Sequence, residues 1–206
     1  MKLLFATFNP GKVAEVRWLL EQAGWQVLSL AEVCPDLKLQ ETGATFEENA
    51  RQKARAAAQA THMWTLAEDS GLEVGALGGE PGVISARFGG REASDQERSR
   101  AILARMIAVP DEHRRARFRC VMCLIDPAGT EAVFEGVCEG RIAHHLRGAS
   151  GFGYDPIFIP DGYAQTFAEL GLEVKNRISH RAQALQQLIR YLQGRVREPI
   201  TDRPGT

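Results

Sequence analysis

A strand-length apolar run, a stretch with helical spacing and a second apolar run open this chain, and that succession calls for a sheet with a helix laid across it. The first run is "KLLFA". From Pro10 to Ala23, Val13, Val16, Leu19 and Leu20 recur at helical spacing, and Gly24 supplies a stop. "WQVLSL" then reads as a second strand. "TFEENARQKARAAAQAT" is rich in helix formers, with Glu47 and Arg51 placed as an i,i+4 pair. "TLAE" reads as a strand that gives way to an acidic turn, "EDSG".

Later segments change character. Gly75 to Gly90 holds six glycines and one proline and reads as a long loop, a kind that is often functional in a compact domain. Ser94 with Glu97 has the form of a capping box, opening a helix through Ile102, Leu103, Met106 and Ile107. "ARFRCVMCLI", "DPAG" and "TEAVFEGVCEGRIA" make a strand, a turn and a strand. "GASGFGYDPIFIPDG" is a second glycine-rich connection around a short strand. "SHRAQALQQLIRYLQG" closes the pattern as a helix with Leu185, Leu188, Ile189 and Leu192 on one face. Alternating helices and strands followed by a hairpin imply an α/β fold with a mixed sheet flanked by helices. One domain over residues 1–194 is expected, with 195–206 as a frayed polar tail.

Composition narrows the function. The 206 residues carry a formal net charge of −1, which lacks the basic excess of a binder of polymeric nucleic acid. "LLFA" is too short for a leader's core, and no run approaches the roughly 18 apolar residues of a membrane span, so a cytoplasmic location without membrane contact is expected. Cys120 and Cys123 form a C-x-x-C, but on a strand residues three apart face opposite sides, so both read as buried small hydrophobes.

Chemistry is carried by four patches. In "FATFNPGK", Asn9 suits an N-cap and Pro10 the first helical position, while Gly11 permits close backbone approach. Lys12 at a helix start opposes the dipole by about 0.3–1 kcal/mol, which makes sense if an anion docks there; an ordinary capped helix remains the alternative. Near the last helix, Lys175, Arg177, His180 and Arg181 gather around Ser179, either as a second polyanion seat or as a solvated basic edge. Glu41, Glu68 and Asp69 lie near the ends of extended segments and, with no His or Cys ligand set, favour Mg²⁺ if they meet, or are solvated turn acids. "GFGYDP" offers Phe152 or Tyr154 for stacking on a base and Asp155 for reading its edge, or else is core and turn.

Together, "ATFNPGK", "ETGATFEENARQKA", "EDSGLEVGALGGEPGVISARF", "GFGYDPIF" and "KNRISHRAQAL", in this order and spacing, resemble the non-standard purine nucleoside triphosphate pyrophosphatases, the Ham1-like family. The resemblance implies an elongated, twisted mixed sheet with two lobes and a central active-site cleft, and a homodimer. It implies Mg²⁺-dependent hydrolysis of dITP, ITP or XTP to the monophosphate and pyrophosphate. Carried over, Thr7, Phe8, Asn9, Pro10, Gly11 and Lys12 line the triphosphate side, and Glu41 and Asp69 hold Mg²⁺. Asp69 also accepts the proton of the attacking water, and Ser70 contacts substrate. Phe152, Gly153, Tyr154 and Asp155, with Lys175, His180 and Arg181, match the nucleotide-binding loop and its partners; Lys53 and Arg87 are weaker matches. Phe8 stands where many members have Gly, and Glu68 where bacterial relatives often have Asp. Other modified nucleotides as substrate, or a regulator that binds without turnover, are the rival readings.

Overall fold

The computed structural model describes residues 1–90 and 92–196. Strand β1 (Lys2–Phe5) leads into helix α1 (Pro10–Gln22), β2 (Gln26–Ser29), a single turn α2 (Leu30–Val33), α3 (Phe46–Thr61) and the long β3 (Trp64–Val74). After two 3₁₀ turns, Gly75–Leu77 and Gly82–Arg87, come α4 (Asp95–Arg105), a further 3₁₀ turn, β4 (Arg115–Ile125) and β5 (Glu131–Ile142). The chain closes with β6 (Phe158–Pro160), α5 (Phe167–Ile178) and α6 (His180–Val196). The six strands form one sheet in the order β2-β1-β3-β4-β5-β6. β1 is parallel to both β2 and β3, whereas the pairs from β3 to β6 are antiparallel. The mixed α/β sheet expected from the alternation is therefore present.

Local chemistry explains the boundaries. Asn9 caps α1 by accepting the Lys12 amide at 3.1 Å, with Pro10 at the first turn. Thr45 with Glu48, and Ser94 with Glu97, form capping boxes at α3 and α4. The apolar stripes then choose the layers. α1 and α6 cover one face of the sheet, where Leu3, Phe5, Leu66, Met122 and Leu124 meet Val16, Leu20, Leu185, Leu188 and Leu192. Each fully buried Leu there contributes about 1.5–3 kcal/mol. α3 covers the other face, its Ala50, Ala54 and Ala57 packed with Leu4, Ala67, Val121 and Cys123. A third cluster, including Leu72, Phe118, Tyr154, Phe158 and Phe167, sits where β3 to β5 extend beyond the parallel strands.

Several expectations need correcting. "EDSG" is no turn: β3 runs through it, paired with β4 from Thr65↔Ile125 to Val74↔Ala116. Asp, Ser and Gly favour turns locally, but this continuous antiparallel ladder overrides them. Glu68 and Asp69 are thus mid-strand and buried, not at a strand boundary. Helix α5 is absent from the sequence pattern, because Gly171 breaks it with φ 78° and ψ 175°. Lys175 and Arg177, just upstream of α6, consequently lie in the last turn of α5, where the dipole favours cations. Ile107 falls outside α4 and is exposed. α6 continues through Val196; residues 197–206, most of the expected tail, lie outside the described residues. Cys120 and Cys123 do face opposite cores, and all four cysteines are free thiols.

Candidate active site

The path of the chain makes an opening. From β1 the connection through α1 goes to β2 on one side, while α3 brings β3 to the other side, along the opposite face of the sheet. Such a switch point, at the carboxyl ends of parallel strands, is where open α/β sheets take ligands. β1 ends at Phe5, opposite Leu66, and β3 continues past it to Val74. Beyond Leu66 no described strand pairs with that edge of β3, which meets the glycine-rich loop only at the isolated bridge Glu73↔Pro81, and the start of α1 lies there. Because strand side chains alternate, Glu68 and Ser70 point to the α1 and α6 face, and Asp69 to the α3 face.

On the first face is a chain of buried ion pairs. The Arg181 Nε and Nη2 donate to the two oxygens of Glu68 at 2.6 and 2.8 Å, a bidentate fork. Its Nη1 donates to Glu15, and Nη2 also reaches Ser70 Oγ at 3.2 Å. Lys175 Nζ lies 2.9 Å from Glu15 Oε1 and donates to Asp155 Oδ2 at 2.5 Å. Lys12 Nζ pairs with Glu68 Oε1 at 2.9 Å. Three acids therefore meet three cations. Burial alone would raise the Glu68 pKa, but Arg181 and Lys12 hold it well below the ordinary 4.5. Burial works against the Lys12 ammonium too, and Glu68 outweighs it, raising the pKa above 10.5. The cations that looked unpaired in sequence are already matched by carboxylates. Sequence reasoning missed Glu15; its only signal was a position beside the apolar stripe of α1.

These residues wall a cavity whose lining includes Asn9, Lys12, Ser70, Tyr154, Lys175 and His180. Phe118 stacks on His180 with centroids 4.7 Å apart and planes 10° from parallel. Burial first, then Arg181 and Lys175, depress the His180 pKa well below 6.5. His180 is thus a neutral imidazole at pH 7, correcting its expected role as a cation. The Asp155 carboxylate folds back to accept the Phe152 amide at 2.9 Å, and Lys175 Nζ lies 4.2 Å from the Phe152 ring centre. Gly11 is needed opposite that ring, because a Cβ there would lie 2.7 Å from it. Gly71 is as constrained: a Cβ would stand 2.4 Å from the Gly82 carbonyl and the Ser85 hydroxyl. Ser85 Oγ accepts the Leu72 amide at 2.9 Å, and Tyr154 donates to the Ser85 carbonyl at 2.8 Å, so the glycine-rich loop is pinned to β3. Phe152, Gly153, Tyr154, Asp155 and Arg181 all line the cavity as well. Phe8 is exposed, and Thr7 accepts the Asn9 amide at 3.2 Å without lining the cavity.

Around the free edge, on the α3 face, is a second group. Asp69 accepts from Asn49 Nδ2 at 2.9 Å and lies 3.4 Å from Lys53 Nζ. The same ammonium donates to Glu41, whose other oxygen is 3.8 Å from Arg87. Burial pushes the Asp69 pKa up, against the opposing pull of Lys53 and Asn49. Glu41, Lys53 and Asp69 thus come together, while Glu68 is held apart on the other face. Among the described residues no set of three His, Cys, Asp or Glu side chains is placed to hold a metal ion. Two carboxylates converging on one cation still fit Mg²⁺, which commonly takes one or two carboxylates and completes its shell with phosphate oxygens and water.

A mixed α/β sheet with its cavity at the switch point defines the class of protein. The family follows: the chain belongs to the Ham1 family, whose model matches residues 3–191. It is 49% identical over 192 residues to the dITP/XTP pyrophosphatase of Desulforamulus reducens, covering 93% of this chain and 96% of the relative. It is 51% identical over 189 residues to a dITP/XTP pyrophosphatase of Thermus thermophilus, covering 92% of this chain and 90% of the relative. A solved HAM1 protein from Coxiella burnetii superposes with a TM-score of 0.84 at 41% identity, over 94% of this chain and 99% of that one. No described helix is long and apolar enough to cross a membrane.

Proposed function

We propose that this chain hydrolyses non-canonical purine nucleoside triphosphates (dITP, ITP and XTP) to the monophosphate and pyrophosphate. Its relatives carry the name dITP/XTP pyrophosphatase over nearly their whole length. The observation that carries the reading here is one strand edge with two different sides. An aromatic and cationic cavity lies on one side, and a converging pair of carboxylates on the other.

In this reading the base enters the cavity between Phe152, Phe118 and Tyr154, and the edge of the base meets Lys175 and His180. A donor left unpaired by adenine's 6-amino group would cost about 1–3 kcal/mol, which favours 6-oxo purines. The triphosphate runs along Thr7–Lys12 and Ser70, with Lys12 turning from Glu68 toward phosphate. Glu41 and Asp69 would hold Mg²⁺, and Lys53, which they share here, would then be free to pair with a phosphate oxygen. The metal supplies positive charge to the phosphates. Asp69 stands ready to take a proton from the attacking water. Asn49 fixes one of its oxygens so that the other faces the reaction.

Cytoplasmic action in the nucleotide pool is supported by four free thiols, which suit a reducing compartment. Organisation as one two-lobed domain is supported by the separate apolar cluster beyond the parallel strands. The homodimer rests on the family resemblance, and light scattering on the purified chain tests it.

Phosphate-product analysis with Mg²⁺ and dITP, XTP, dGTP, ATP and dTTP in parallel tests the function. Pyrophosphate and monophosphate from dITP and XTP, well above the other three, is the expected result. Orthophosphate release, or equal turnover of all five, would overturn the reading, and binding without product would favour the regulator.

A further inference from the structure

Two buried polar atoms in the lining of the cavity have no hydrogen-bond partner among the described residues: His180 Nδ1 and Arg98 Nη1. They belong to different walls. His180, at the start of α6, sits with Lys175 and Arg181. Arg98 stands on α4, in the wall shared with Gly153 and Tyr154, and no sequence motif singled it out. Its other terminal nitrogen, Nη2, donates to Asp95 Oδ1 at 3.1 Å. Asp95 Oδ2 in turn accepts the Gly153 amide at 2.6 Å, and Ser99 Oγ donates to the Gly153 carbonyl at 3.3 Å. The guanidinium is therefore held by one arm, and its second arm is a desolvated donor with nothing to donate to. Guanidinium nitrogens cannot act as acceptors, so only an acceptor oxygen or nitrogen from the ligand satisfies this one.

We infer that Arg98 is a further substrate-binding residue, which reads position 2 of the purine through Nη1. The inference rests on the base occupying this cavity. Hypoxanthine, xanthine and guanine share the 6-oxo acceptor, which meets Lys175 and His180 on the α5 and α6 wall. The isolated donor on the α4 wall then matches the second oxo group that xanthine alone adds. A 2-amino group at the same place sets donor against donor. Arg98 thereby gives a physical basis for rejecting guanine nucleotides, which share the other hydrogen-bonding groups of hypoxanthine.

The test is steady-state kinetics of Arg98→Met and Arg98→Lys on XTP, dITP and dGTP, beside Ser99→Ala and His180→Ala. In Arg98→Met the KM for XTP is expected to rise about tenfold or more, as for loss of a charged hydrogen bond. The KM for dITP should stay within about twofold and the discrimination against dGTP should narrow. Arg98→Lys should recover part of the XTP affinity. An equal rise for all three nucleotides, matched by Ser99→Ala, would overturn the inference by showing that Arg98 only braces the Gly153 loop. An unchanged KM for XTP in Arg98→Met and Arg98→Lys would overturn it too. If His180→Ala were equally silent, the placement of the base in the cavity would fall as well; a KM rise in His180→Ala alone would confine the failure to Arg98.

Discussion

Glu68 and Asp69 are joined by one peptide bond, yet the pleat of β3 sends them into unlike surroundings. Glu68 meets a guanidinium fork, an ammonium and the Ser70 hydroxyl, and its pKa is held down. Asp69 meets one amide and a lysine that it shares with Glu41, and its pKa is pushed up. The first is a saturated site in which each charge has a close partner of opposite sign. The second has one close ammonium, Lys53, shared between two carboxylates. A saturated network fixes geometry, whereas an unsaturated one is ready for chemistry. The departure at position 68 fits this division, since the longer side chain reaches both arms of Arg181.

If Glu68 is structural, removing it should cost stability. Glu68→Ala leaves the buried Arg181 and the partly buried Lys12 with too little negative charge, and a loss of about 3–5 kcal/mol is expected in urea unfolding. A loss below about 1 kcal/mol would break the contrast. Gly71→Ala probes the same strand one step further on. Its Cβ would press on the Gly82 carbonyl, and about 1–3 kcal/mol of destabilisation is expected from overpacking. Equal stability would mean that the glycine-rich loop is not seated as described. Lys12→Ala sharpens the division between frame and ligand: KM for dITP should rise about tenfold while kcat changes less. Unchanged kinetics would remove Lys12 from the phosphate side.

The smallest effect is with pH. His180 is neutral when folded, with a pKa below 6.5, so the unfolded chain takes up its proton first as pH falls. Stability should therefore decline below about pH 6.5. Glu68 acts at lower pH: its stabilisation is complete above 4.5 and is lost as pH falls further, toward its depressed folded value. His180→Phe should flatten the first decline and leave the second. A flat profile through both ranges in the unmutated protein would contradict the burial of these groups.

Much of this was legible in sequence where one physical signal dominated. Apolar periodicity and caps gave α1, α4 and α6, helix-forming composition gave α3, and the run "RFRCVMCLI" gave β4 and the opposite faces of its two cysteines. The strand through "EDSG" was hidden because the residues that carry chemistry are poor strand formers. Its identity depends on β4, far away in sequence. α5 was hidden by Gly171, and with it the favourable placement of Lys175. At the site, the motifs point to most of the residues lining the cavity and to Glu41 and Asp69, with Lys53 a weaker match. They do not point to Glu15 or Arg98, since one charged residue on a helix reads as solvated until its neighbours are known.

The most direct test of the division between the two faces is Asp69→Asn, assayed for dITP turnover, nucleotide binding and unfolding free energy on the same preparation. Turnover should fall about 10²–10⁴-fold, while binding persists and stability changes by less than about 1 kcal/mol. Near-normal turnover, or a collapse in stability of the size expected for Glu68→Ala, would contradict the assignment of chemistry to one face of β3 and framework to the other.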